Sequence, residues 1–276
     1  MIAFGAVFLG HGSREAVAVA QFEALVEHAR ALAPAGMRLA HGYIELVPPT
    51  MDEAIDAAVA LLHADVVASG AVRAGVPWDA SGVGLAVVPC VLSAAGHVRV
   101  DVRDAVARAQ RRHPWLAIAQ AEHLGAHAAI VDVLAQRVGD ALGARAANDA
   151  VLLFATRGSS DARAVADCRD LAAAVGARAG VGAHEVGFFA VAEPGVAEAL
   201  GVCGRTGART VVVLPHLMAD GKLAREVREV WVPLARAAAP DVDFVLADVL
   251  GPDPRVAHAA LSLAIDALNA AQVTHG

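Results

Sequence analysis

Three side chains of the 276-residue sequence have the types and spacing to hold a metal: His11, Glu45 and His97. Each follows a short apolar run. His11 follows Ala3 to Leu9, Glu45 follows Arg38 to Ile44, and His97 lies in the Gly-containing segment Ser93-Ala-Ala-Gly-His-Val98 after Gly84 to Cys90. Two neutral imidazoles and one carboxylate suit a divalent transition metal and leave coordination positions open for a substrate. Imidazole, with an unperturbed pKa of about 6.5, can also take up a proton near neutrality. Read singly, each of the three is equally an ordinary turn residue; their shared place after successive strands favours the functional reading. In a parallel α/β sheet the carboxyl ends of the strands share one rim, where ligands bind.

The elements that must place these residues follow from pattern. Apolar, β-rich runs alternate with Ala-rich helical stretches, which predicts α/β architecture with mostly parallel sheets flanked by helices. Ala3 to Leu9 reads as a buried strand, Gly10 to Arg14 as a tight turn and Glu15 to Ala33 as a helix stopped by Pro34. Thr50 and Glu53 form a capping box for a helix to about His63. Helices are expected over Val98 to Arg112 and Leu124 to Val138, with a strand from Trp115 to Ala119 between them.

The second half echoes the first. Arg157-Gly-Ser-Ser-Asp161 repeats His11-Gly-Ser-Arg-Glu15 at an offset of 146, and Gly187 to Pro194 repeats Gly42 to Pro49 at an offset of 145. Val212-Val-Leu-Pro215 with Gly221-Lys222 repeats Val87-Val-Pro89 with Gly96-His97 at a shorter offset, so the first half carries an insertion, expected between about Ala64 and Gly82. This predicts two tandem similar domains, 1–138 and 150–276, joined by a linker over 139–149. At the echoed positions Arg157 replaces His11, Ala190 replaces Glu45 and Lys222 replaces His97. Arg does not deprotonate and Lys has no free lone pair near neutrality, so the second half is expected to hold no metal and to suit carboxylates instead.

Composition excludes several classes. With 57% hydrophobic and 18% charged residues the chain is not disordered. A net charge of −7 supplies no basic field for a nucleic-acid backbone. The longest charge-free run, Ala80 to Gly96, carries Gly82, Gly84 and Pro89 and reads as a loop and a buried strand, not a membrane span. The N-terminal Met-Ile-Ala-Phe-Gly lacks a charged leader, so no signal peptide is expected. Cys90, Cys168 and Cys203 lie far apart without a C-x-x-C pair; neither a disulfide framework nor a thiolate zinc site is expected, and a cytoplasmic location fits.

The segments Leu9-Gly-His-Gly-Ser-Arg14, Gly42-Tyr-Ile-Glu-Leu46 with Pro49, and Val88-Pro-Cys-Val-Leu92 through Ala95-Gly-His-Val98 resemble the sirohydrochlorin chelatases of the CbiX/SirB type, class II tetrapyrrole chelatases. Arg157 to Asp161, Phe188 to Pro194 and Val211 to Lys222 are similar to the degenerate second domain of their long, two-domain form. The resemblance covers nearly the whole chain. It implies ATP-independent insertion of Co2+ or Fe2+ into sirohydrochlorin in a cleft between two similar domains, as a step of cobalamin or siroheme biosynthesis. The metal is a substrate, and no permanently bound cofactor is implied. The family's active-site histidines map onto His11 and His97, and its acidic residue onto Glu45. The substrate carries eight carboxylates, for which Arg14, Arg99, Arg157 and Lys222 at the rim are the candidate partners. The insertion departs from the family pattern, and the chain has neither a His-rich tail nor the Cys cluster of some members.

Two rivals stand beside this reading. A non-catalytic tetrapyrrole- or metal-binding protein would use the same residues. Gly10-His-Gly12-Ser-Arg-Glu15 also approaches the dinucleotide-binding G-x-G-x-x-G turn of an oxidoreductase, but the third glycine is Glu15, whose carboxylate would repel a pyrophosphate. Among the other histidines, His123 and His127 have the i, i+4 spacing of a helical metal pair, yet Gly125 lies between them near a helix start, which favours a background role. His28, His63 and His113 are expected on solvated helix faces, His216 in packing, and Cys90 inside a buried strand. The sequence leaves the oligomeric state and the order of roles between His11 and His97 open.

Overall fold

The computed structural model describes residues 3–70, 82–93, 96–125 and 127–273. Among the described residues, eight strands form two four-stranded sheets in which every pairing is parallel. The first contains β1 (Ala3–Gly10), β2 (Met37–Tyr43), β3 (Val83–Pro89) and β4 (Ala117–Gln120) in the order β2-β1-β3-β4. The second contains β5 (Ala150–Thr156), β6 (Ala183–Phe188), β7 (Thr210–Pro215) and β8 (Asp243–Leu246) in the order β6-β5-β7-β8. The central strands β3, β5 and β7 are buried throughout, as expected for strands covered on both faces. Among the described residues no helix is long and apolar enough to cross a membrane.

The helices keep the repeat. α1 (Ala16–Leu32) and α5 (Ala162–Ala179) follow the first strand of each half, and α2 (Met51–Ala68) and α6 (Val196–Cys203) follow the second. The Thr50–Glu53 capping box is formed on α2, with the Thr50 hydroxyl accepting from the Glu53 N–H at 3.3 Å and the Glu53 carboxylate accepting from the Thr50 N–H at 2.8 Å. α3 (Gly96–Arg112) corresponds to the helical run α7 (Lys222–Glu226), a π-turn (Val227–Trp231) and α8 (Val232–Ala238), and α4 (Ala128–Leu142) to α9 (Pro254–Val273). At the ends of β3 and β7 the two halves match at an offset of 126, Pro89 with Pro215, in place of 145, and at 125 for Gly96-His97 with Gly221-Lys222. The difference begins earlier than Ala64: α6 ends at Cys203, the counterpart of Ala58, whereas α2 runs ten residues further. The insertion therefore starts as extra helix, on which Leu62 and Val66 are buried, and its remainder over 71–81 lies outside the described residues.

The two compact units differ from the contiguous domains expected at 138 and 150. One comprises 1–19, 23–125 and 257–276; the other comprises 20–22 and 126–256. α4 belongs to the second unit because it packs on α5, where Arg178 Nε donates to Asp132 Oδ1 at 2.7 Å. The expected linker is also shorter, since α4 continues through Gly139 to Leu142 and stops at Gly143, whose φ of +57° a non-glycine residue rarely adopts. A short 3-10 turn, Ala147–Asp149, leads into β5.

Candidate metal and tetrapyrrole site

β1 ends at Gly10 and places His11 on the sheet rim. The chain leaving β2 runs alongside. The Ile44 N–H donates to the Gly10 carbonyl at 2.8 Å and the Glu45 N–H to the His11 carbonyl at 3.1 Å. Gly12 is required at this crossing. Its φ is +94°, and a Cβ there would stand 1.9 Å from the Glu45 carbonyl oxygen. The two loops are thus closed on each other through backbone, and their side chains meet. His11 Nδ1 lies 3.3 Å from Glu45 Oε1, the imidazole about one-third exposed and the carboxylate about half. A neutral imidazole that gives its Nδ1 proton to a carboxylate presents the Nε2 lone pair outward, the tautomer a metal ligand needs.

The first turn of α3 carries His97. Its backbone is helical, and its side chain lies outside the described residues. The helix itself is tied to α2: Arg108 donates to Asp52 at 2.7 Å and Arg112 to Asp56 at 2.9 Å. The hydrogen bond from Arg108 holds the Asp52 carboxyl below the usual carboxylate range. Among the described residues no group of three or more His, Cys, Asp or Glu side chains is arranged to hold a metal, so the pair His11–Glu45 is the part of the expected ligand set that the structure brings together.

The candidate cations all lie in solvent. Arg14 follows the β1 turn, Arg99 lies in the first turns of α3, Arg157 follows β5 and Lys222 opens α7; all four are exposed. The loop after β5 repeats the loop after β1. The Phe189 N–H donates to the Thr156 carbonyl at 3.0 Å, and a Cβ on Gly158 would stand 2.0 Å from the Ala190 carbonyl. Ser159 accepts from the Asp161 N–H at 3.0 Å as Ser13 does from Glu15 at 3.1 Å. The same backbone thus carries Arg157 and Ala190 where the first half carries His11 and Glu45. Gly12 and Gly158 were visible beforehand only as echoed letters; the carbonyl each one admits was not.

The remaining histidines and cysteines separate from the site. His123 and His127 are not a helical pair: α4 starts at Ala128, and His127 is its cap, Nδ1 accepting from the Ala129 N–H at 3.2 Å. His113 lies just beyond α3 with Nε2 3.0 Å from Asp56, a partner that a solvated helix face does not require. His63 is exposed on α2 and His28 half-buried on α1. Cys90 sits one residue past β3, fully buried, and burial pushes its thiol up to about 12, which makes it inert as a ligand. His216 is buried after β7, its Nδ1 2.9 Å from the Thr156 hydroxyl and its ring 4.8 Å from that of Phe154. The absence of a side chain at Gly12 is explained by the Glu45 carbonyl, which stands where its Cβ would be.

Tandem four-stranded parallel sheets with a His–carboxylate pair at the strand ends of one repeat define a duplicated α/β protein of the chelatase type. The CbiX family model matches residues 79–141 and 151–267, more than half of the sequence, and the chain belongs to that family. Sirohydrochlorin ferrochelatase of Priestia megaterium is 27% identical over 216 residues, which are 78% of this chain and 73% of that protein. Sirohydrochlorin cobaltochelatase of the same organism is 25% identical over 254 residues, 91% of this chain and 75% of the relative. The solved structure of SirB from Bacillus subtilis with Fe3+ superposes with a TM-score of 0.78 at 23% identity, covering 96% of both chains, an agreement of fold.

Proposed function

We propose that this chain inserts Co2+ or Fe2+ into sirohydrochlorin without ATP, and that His11 and Glu45 carry the metal step. The observation that carries the assignment is the 3.3 Å His11–Glu45 pair on the rim of the repeat that kept both residues, in a chain of the CbiX family. The overall exchange is one divalent metal bound for two pyrrole N–H protons released, so the site must deliver a partly dehydrated metal and accept protons. His11 delivers the metal through Nε2. Glu45 holds the imidazole in that tautomer and offsets the metal's charge; it need not be a direct ligand. His97, opening α3, is the second delivering or proton-accepting group. Arg14, Arg99, Arg157 and Lys222 hold carboxylates of the substrate.

The test is optical titration of the purified protein with metal-free sirohydrochlorin and each metal, because insertion changes the chromophore's spectrum. Multiple turnovers that vanish in His11→Ala support the assignment. Binding of the macrocycle without turnover by any metal gives the non-catalytic reading, and turnover undiminished in His11→Ala removes the site.

A further inference from the structure

Leu46 and Val191 are the only non-glycine residues with positive φ among those described, +74° and +73°. Both sit at the centre of an i→i+2 turn: the Val47 N–H donates to the Glu45 carbonyl at 2.9 Å, and the Ala192 N–H to the Ala190 carbonyl at 2.9 Å. A γ-turn with a positive central φ is a rare, strained conformation, and it is least tolerable for a β-branched residue such as valine. The turns persist because their first carbonyls are locked against Gly12 and Gly158. Glycine or asparagine at the centre would relieve the strain. The chain instead places a large apolar side chain there in both repeats, and leaves it 53% exposed at Leu46 and 75% exposed at Val191.

Neither folding nor the ligand pair accounts for this choice. An exposed isobutyl group contributes little to a core. Aiming the Glu45 carboxylate is one use of such a turn, but Ala190 has no carboxylate to aim and its turn is kept. What the two repeats share is an apolar side chain raised on a rigid backbone one residue beyond the rim crossing. In the first repeat that side chain neighbours the His11–Glu45 pair.

We infer that Leu46 is a substrate-positioning residue, whose side chain packs on the apolar face of the tetrapyrrole and sets the ring plane against the His11 imidazole. This rests on the function proposed above. A flat conjugated ring with charges only on its edge offers such a face, and the carboxylates remain for cationic side chains. A strained pedestal suits the task because it cannot turn the side chain away when the ring leaves.

The experiment measures the Kd for metal-free sirohydrochlorin by absorbance titration, which needs no turnover, together with Co2+ binding and thermal melting of the full chain. Leu46→Gly and Leu46→Asn both suit a positive φ and remove the apolar contact. The expected result is about a five- to ten-fold weaker Kd in both, unchanged Co2+ binding, a melting temperature equal to or above the parent's, and recovery to within about two-fold of the parent in Leu46→Met. Kd values within about two-fold of the parent in both variants, with the parent binding the macrocycle, overturn the role of Leu46 and leave the proposed function standing. A parent that binds no sirohydrochlorin overturns the proposed function itself. Loss of macrocycle and Co2+ binding together, with a lowered melting temperature, would make Leu46 a structural residue and also refute the inference.

Discussion

Protonating His216 should unfold this protein more readily in mild acid, by an amount the structure sets. The ring is 5% exposed, its Nδ1 is engaged with Thr156, and its Nε2 is buried without a partner. An imidazolium needs both nitrogens as donors, so burial pushes the pKa down from 6.5 to about 4. The unfolded chain therefore binds a proton that the folded chain does not, over the window between those two values. Stability is complete above about pH 6.5, falls as pH drops through the window, and levels off below about 4. The full difference is about 3 kcal/mol, and about 2–3 kcal/mol of it is lost by pH 4.5. Against a typical total of about 5–15 kcal/mol this is readily measured. His41 is also pushed down, chiefly by burial, so the parent alone does not isolate His216. Urea unfolding followed by circular dichroism, at pH 7.5 and 4.5, should be run on the parent and on His216→Leu. The variant is expected to lose about 1 kcal/mol at pH 7.5, where the Thr156 hydrogen bond is missing, and to lose about 2–3 kcal/mol less than the parent on going to pH 4.5. Equal losses on acidification in the two proteins would refute the buried, uncharged state of His216.

Three further outcomes are expected. His11→Ala should abolish insertion while leaving the melting temperature nearly unchanged, because the ring is one-third exposed, and Glu45→Gln should weaken metal binding about ten-fold or more; steady-state rates and Co2+ titration check both. Gly12→Ala should cost on the order of 2 kcal/mol in urea unfolding, since the new Cβ cannot stand 1.9 Å from the Glu45 carbonyl and φ is +94°; an unchanged midpoint would refute the crossing. Arg157→Ala and Lys222→Ala should each raise the KM for sirohydrochlorin, by about three-fold for an exposed cation, without altering Co2+ affinity; an unchanged KM in both would remove the second repeat from substrate binding.

Local chemistry was legible in the sequence wherever a short motif encodes it. The Thr50–Glu53 cap, the turn after β1 and the His11–Glu45 placement depend on neighbours within a few residues or on adjacent parallel strands. The start of α4 differs from the pattern because Leu124 continues the apolar spacing, whereas Gly125 adopts a φ of +42° and the helix begins three residues later under the His127 cap. The grouping of α4 with the second sheet could not be read at all. An amphipathic helix specifies that it needs an apolar surface, not which one, and the ion pair Asp132–Arg178 that accompanies this choice joins residues 46 apart. Leu46 and Val191 were hidden for a different reason, since leucine and valine in a strand-rich pattern give no sign of a positive φ.

The two repeats separate what the backbone demands from what the chemistry demands. Both keep the glycine that admits a carbonyl and the serine that accepts from the start of the following helix, and these are steric and hydrogen-bonding needs of the crossing itself. The side chains of His11 and Glu45 differ from those of Arg157 and Ala190, and they project from that crossing without holding it together. The positions beneath the rim changed in the opposite sense. Gly10 and Cys90, small or apolar, correspond to Thr156 and His216, and the matching backbone bonds, Cys90 to Leu9 at 2.8 Å and His216 to Ala155 at 2.7 Å, fix that correspondence. The second repeat thus has an imidazole in a buried seat on Phe154, where it does not take up a proton near neutrality or present Nε2 to solvent. At this end of the second sheet the imidazole of His216 is buried, whereas that of His11 is one-third exposed, so under the proposed function only the first repeat offers a histidine that solvent can reach.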